Sequence, residues 1–228
     1  MVNGSRTNGP TGTGRTERQA ARRRPSLEAL IRDIRACRIC RDEPVGTPLP
    51  HEPRPVFQVS ERATICVAGQ APGTRVHASG RPFTDPSGDR LREWMGVDSA
   101  TFYDQNRIAI VPMGFCFPGQ DGRGADLPPR RECPPAWRAK LMAGLPNIRL
   151  VLAVGAYAQG WHLGALAGRS LTETVSAWRE IAAATDPVVV PLPHPSWRNN
   201  AWLKKNPWFG AELLPVLRDR VAEELGRS

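Results

Sequence analysis

Five cysteines stand in this chain of 228 residues, and four of them are spaced as ligands would be. Cys37 and Cys40 form C-R-I-C, and Cys116 and Cys133 follow with sixteen residues between them. In a reducing compartment such usage favours a metal site over disulfides. Four thiolates suit zinc or a [4Fe–4S] cluster, and the spacing leaves both open. The competing reading makes Cys37 and Cys40 core positions at a helix end and Cys116 a loop residue. Cys66 lies inside an apolar run and needs no role beyond packing. A second concentration is "PLPHPSWRNNAWLKKNPWF", residues 191–209, with one histidine, three tryptophans and three basic side chains. Gly69, Gly73, Gly80 and Gly88 fall into neither phosphate-cradling pattern, so nucleotide binding is not expected.

Such residues need a frame. "SLEALIRDIRAC" places Leu27, Leu30, Ile31 and Ile34 on one helical face, with Ser26 as N-cap after Pro25. Four short apolar runs follow, at 63–69, 107–113, 148–155 and 187–193, each reading as a strand buried on both faces. Helical patterns separate them: "GDRLREWMG", "PPAWRAKLMAGL" and "LTETVSAWREIAA", with a closing amphipathic helix from about Pro207 to Leu225. This alternation predicts an α/β fold, a three-layer α/β/α sandwich on a four-stranded, mainly parallel sheet. Ligands of such sheets bind beyond the carboxyl ends of the strands. "GQAPGTRVHASGRPFTDPSG", "GFCFPGQDGRGADLPPRREC", "GAYAQGW" and "HPSWRNN" should therefore meet on one rim.

The formal charge is +9, and residues 1–25 carry six Arg against one Glu without hydrophobic periodicity. They are expected to form a basic disordered tail, either a bland leader or a segment that tracks a phosphate backbone. Residues 26–228 then form one domain. No apolar run approaches a membrane span and no apolar leader opens the chain, so a soluble, cytoplasmic protein is expected.

In this order, "GQAPG" (69–73), "GRPFTDPSG" (80–88) and "HPSWRN" (194–199) resemble the motifs of the uracil-DNA glycosylase superfamily. The likeness runs from about Ile34 to the C-terminus and is closest to the iron–sulfur-containing branches, families 4 and 5. It implies a monomer working on DNA that contains uracil or a related lesion, in the nucleoid. It also implies a [4Fe–4S] cluster on Cys37, Cys40, Cys116 and Cys133, with zinc as the alternative. N-glycosidic cleavage expels the base as an anion while the sugar gains oxocarbenium character, with the base held outside the stack. By resemblance, His194 donates a hydrogen bond to the departing base and Phe83 stacks on it. Gln70 and Ala71 offer an amide and backbone N–H groups to its edge. Asp85 either steers a water or opposes the cationic sugar, or else it is an N-cap ahead of Pro86 and Ser87. Ser196, Trp197, Arg198, Asn199 and Asn200 are read as contacts to DNA, Lys204 and Lys205 as electrostatic anchors, and Trp197 or Trp202 as a wedge. At least one of Trp197, Trp202 and Trp208 should pack inward.

The chain also departs from the family pattern. Gln70 and Ala71 leave the first motif without a carboxylate, and Pro112 stands where relatives carry an Asn that reads the uracil edge. Base selectivity is thereby left open. Two rival readings follow: a protein on the same fold that binds damaged or single-stranded DNA without cleaving it, and a metal-containing interaction module. His77 is read either as an exposed loop residue or as a second polar group at the site, and His51 and His162 carry no functional reading.

Overall fold

The computed structural model describes residue 1 and residues 25–227, so the basic segment 2–24 lies outside the described residues. The first helix, α1 (Leu27–Arg35), starts where Ser26 Oγ accepts the Ala29 N–H at 3.2 Å, and buries Leu27, Leu30 and Ile34. After α2 (Ile39–Asp42) comes β1 (Ile65–Ala68), followed by α3 (Thr74–Ser79), α4 (Pro86–Met95) and α5 (Ser99–Phe102). Beyond β2 (Ile108–Ile110), a π-helical turn, Pro134–Arg138, runs into α6 (Ala139–Ala143). Next come β3 (Leu150–Val154), α7 (Ala156–Leu163), α8 (Leu171–Ser176), α9 (Trp178–Ala184) and β4 (Val188–Leu192). Finally α10 (Asn200–Lys205) precedes a second π-helical turn, Phe209–Leu213, which continues as α11 (Leu214–Gly226).

All four strands are parallel, in the order β2-β1-β3-β4. The sheet is thus wholly parallel, where the sequence indicated mainly parallel. Each strand carries residues to two faces with period two. On one face Cys66, Ala68, Ala109, Val151 and Ala153 meet α1, α6 and α7 through Leu30, Ile34, Leu141 and Ala158. On the other, Ile65, Val67, Ile110, Leu152 and Val190 meet α4 and α11 through Leu91, Trp94, Leu217 and Val221. The free edge of β2 is closed by Gln58, which exchanges backbone hydrogen bonds with Ile110 at 3.0 and 2.7 Å.

Two expectations change. "LTETVSAWREIAA" is two helices, α8 and α9, broken at Ala177. "GAYAQGW" and "TRVHAS", rim segments to which the sequence assigned no helix, fall in α7 and α3. At α7, Gly155 with φ 81 turns the chain straight from β3 into the helix, a conformation that favours glycine. Among the described residues, no helix is long and apolar enough to cross a membrane.

Phe102 is fully buried and joins α5 to the sheet, whereas Trp197 is 74% exposed. Phe102→Ala is expected to cost about 3–5 kcal/mol in urea unfolding. Trp197→Ala should stay within about 0.5 kcal/mol.

Candidate active site

A cleft of about 680 Å³ opens beyond the carboxyl ends of the strands. Gln70, Ala71, Phe83, Asp85, His194, Ser196, Trp197, Arg198 and Asn199 all line it. The three sequence motifs therefore meet in one place. Lys204 and Lys205, exposed at the end of α10, do not line this cleft.

His194 sits two residues beyond β4, between buried Pro193 and Pro195. Asn199 Nδ2 donates to the His194 carbonyl at 2.7 Å, and buried Gln159 Nε2 donates to the carbonyl of Leu192, two residues earlier, at 2.9 Å. Burial pushes the His194 pKa down, as does Arg198 to a smaller degree, while Asp85 and Asp126 draw it back up. The imidazole is consequently neutral at physiological pH.

Phe83 is the only non-glycine described residue with positive φ, at 53°, a strained conformation for a bulky side chain. Its surroundings enforce it. The Tyr103 hydroxyl lies 3.0 Å from the Phe83 carbonyl and 2.9 Å from that of Pro82, and Arg92 Nη1 approaches Phe83 O at 3.4 Å. A Cβ at Gly88 would stand 1.9 Å from that same oxygen. The ring itself rests on Gly69, where a Cβ would come within 3.3 Å of Cζ, and meets Phe102 edge-on at 6.1 Å. One aromatic ring is thereby fixed at the cleft wall.

Asp85 occupies the N-cap position of α4 but makes no side-chain cap bond. Asp98 at the head of α5 shows the contrast, accepting Thr101 N–H at 2.7 Å. The capping role weighed for Asp85 is therefore not the one its carboxylate performs, and the group is left to the cleft.

Several expected DNA contacts are engaged within the protein. Asn199 clamps His194, as above, and Asn200 Oδ1 accepts from Arg90 Nη1 at 2.8 Å. Trp202 packs against Trp208 and Phe209 and donates to Thr172 Oγ1 at 2.8 Å, so it is no wedge. Trp197 remains exposed at the cleft rim. His77 is half-buried on α3, its ring centroid 4.3 Å from that of His51, in place of an exposed loop position. Two polar groups that line the cleft, Asp126 and Gln120, went unread in the sequence. Asp126, in the loop after β2, lines the cleft and accepts from Gln120 Nε2 at 3.2 Å. Its other oxygen comes so near Gly73 that a Cβ there would stand 3.0 Å away. A lone Asp in a Gly-rich loop carries no periodic or motif signal, so only the fold reveals it. Pro112 is buried and is not among the residues lining the cleft.

On the far side of the β2 exit loop, Cys37, Cys40, Cys116 and Cys133 line a single cavity with Trp137 and Arg130. Two sulfurs receive N–H donors: Trp137 Nε1 to Cys37 at 3.1 Å and Phe115 N to Cys133 at 3.4 Å. All five cysteines are free. Burial raises the thiol pKa values of Cys40 and Cys133, and pushes Cys116 up to about 12. Among the described residues no group of three or more His, Cys, Asp or Glu side chains could hold a metal ion.

The family model for the uracil DNA glycosylase superfamily matches residues 56–218, more than two thirds of the chain. The chain belongs to that superfamily. That superfamily is generally one of DNA glycosylases, hydrolases of DNA repair. The superfamily match spans all three cleft motifs together with Cys116 and Cys133, and begins after Cys37 and Cys40.

Gly88→Ala tests the clamp on Phe83. It should destabilise the protein by about 1–3 kcal/mol, the usual cost of overpacking. Gly160→Ala, in α7 with nothing within 4 Å of the added methyl, should be neutral or stabilising in the same urea titration.

Proposed function

We propose that this chain hydrolyses the N-glycosidic bond of uracil, or of a related deaminated base, in DNA and leaves an abasic site. The observation that carries the reading is the meeting of a neutral His194, an uncapped Asp85 and a rigid Phe83 in one cleft. The extruded base stacks on Phe83, with Gln70 and Ala71 along its edge. As the bond breaks, negative charge gathers on the base, and an N–H of His194 donates to it. Such a bond strengthens as the charge grows and is worth roughly 1.5–3 kcal/mol. Asp85 faces the opposite charge on the sugar, or holds the water that adds to it. Trp197 and Arg198 stand at the rim where the strand would pass.

Within the superfamily, the four cysteines support a place among the iron–sulfur-containing branches, families 4 and 5. Cys37, Cys40, Cys116 and Cys133 would hold a [4Fe–4S] cluster, and the two N–H···S contacts suit thiolate ligands. When bound, the cluster would supply structure, tying α1 to the loop between Cys116 and Cys133. The protein would act as a monomer in the cytoplasm, on nucleoid DNA.

A second reading, capture of damaged DNA without turnover, draws on Pro112. It has no N–H or side-chain amide to read a base, and its carbonyl is engaged by Arg138 at 3.1 Å.

The test is alkaline cleavage of a labelled oligonucleotide carrying one uracil. Wild type should yield abasic product, and His194→Ala should lose about ten- to a hundredfold in rate. Asp85→Asn should also be slower. Because the folded His194 pKa is depressed below the ordinary 6.5, the rate should hold as pH falls through 6.5 and drop only below it. Tight binding of the uracil strand without product would favour the second reading. For the cluster, purified protein should be brown, absorb broadly near ~400 nm and contain iron. Cys37→Ser should remove the colour, and a colourless, iron-free wild type would refute the assignment.

A further inference from the structure

Arg138 heads the large side chains that are fully buried, with none of its surface exposed. A guanidinium stays charged, so a full positive charge is enclosed beside the sheet. Its hydrogen-bond partners are neutral. Nη1 donates to the carbonyls of Val111 at 2.7 Å and Pro112 at 3.1 Å, and Nη2 lies 2.5 Å from His162 Nε2. A guanidinium only donates, so His162 accepts and carries its proton on Nδ1. The guanidinium lies 4.6 Å from the Trp161 ring centroid, and Nε has no partner among the described residues. No carboxylate among them pairs with it either.

An enclosed charge without a counter-ion is strongly unfavourable, so an anion is called for. The acidic groups that bear electrostatically on Arg138 are the thiols of Cys66 and Cys133. Burial raises the thiol pKa of both, and Cys66 lies within β1, away from the other cysteines' cavity. Cys133 differs, because it begins the π-helical turn that ends at Arg138 and lines the cavity with the other three cysteines. Four thiolates around a dication, or around a four-iron core of charge +2, leave a net charge of −2.

We infer that Arg138 is the counter-charge of an anionic iron–sulfur centre on the four cysteines, and that it ties this centre to the loop leaving β2 for the cleft. The inference rests on the reading of those cysteines as cluster ligands. It makes Arg138 a positioning residue: it ends the turn that the ligand Cys133 begins, grips the Val111 and Pro112 carbonyls of the segment whose Phe115 N–H meets the Cys133 sulfur, and holds His162 of α7.

The experiment uses the full, iron-loaded chain. Iron content and absorption of wild type come first; their absence defeats the cluster reading itself, and this inference falls with it. With iron present, wild type is compared with Arg138→Met and Arg138→Lys for iron content, reduction midpoint, and melting temperature before and after chelation. Loss of the charge should move the midpoint of Arg138→Met negative, changing the ratio of reduced to oxidised protein at fixed potential about tenfold, or ~59 mV for one electron. Arg138→Lys should keep the wild-type midpoint. Loaded Arg138→Met should melt below wild type, whereas after chelation the order should level or reverse, because the orphaned charge is gone. Full iron, an unchanged midpoint and the same melting deficit in both forms would make Arg138 a packing residue and overturn the inference. Should Arg138→Met fail to fold, Arg138→Lys decides: a wild-type midpoint supports the role of charge, and a tenfold or larger shift contradicts it.

Discussion

Four strands running in one direction send the loop that leaves each of them to the same edge, and the rest of this molecule depends on that constraint. Gln70 and Ala71 follow β1, the loop bearing Asp126 and Cys116 follows β2, Gly155 follows β3 and His194 follows β4. The loops are cross-tied by backbone hydrogen bonds that extend the sheet beyond its last paired residues. Met113 N–H donates to Gly69 O and Gly114 N–H to Gln70 O, both at 2.9 Å. Gly155 N–H donates to Leu192 O at the same distance. Side chains far apart in sequence are therefore fixed by backbone, with little left to loop flexibility.

The segment leaving β2 has two neighbours of different character. One side faces the cleft through its ties to Gly69 and Gln70, and the other leads to Cys116 and the cavity shared with Cys37, Cys40 and Cys133. Val111 and Pro112, at the start of this segment, are gripped from behind by Arg138. A proline at 112 suits that duty, since a carbonyl is all the position must offer. The cleft obtains its polar groups elsewhere, from Asp126, Asp85 and His194.

Much of this was legible in the residues. The strands announced themselves because a parallel strand covered on both faces must be apolar throughout, as "ICVA" and "LVLAV" are. Ser26 capped its helix as its type and position implied. The three motifs could be placed on one rim because they follow strands. What escaped detection was tertiary in origin. The positive φ of Phe83 depends on Gly88, Tyr103 and Arg92, none of which marks Phe83 as unusual in sequence. Asn199 and Asn200 look like DNA contacts by type, yet their amides are engaged by His194 and Arg90. Helix α7 lay hidden behind a glycine-flanked stretch too short to show a period, and the pairing of Arg138 with His162 had no local signal at all.

The central claim is that a base leaves DNA and enters the cleft between Phe83 and His194. Its most direct test is a crystal structure with DNA carrying a 2′-fluorinated deoxyuridine, whose glycosidic bond resists cleavage. The account requires the uracil to be out of the helix, stacked on Phe83 with a ring nitrogen of His194 within hydrogen-bond distance of a base oxygen, and Trp197 and Arg198 against the strand. DNA bound with every base still stacked, or held on a face away from the cleft, would contradict it.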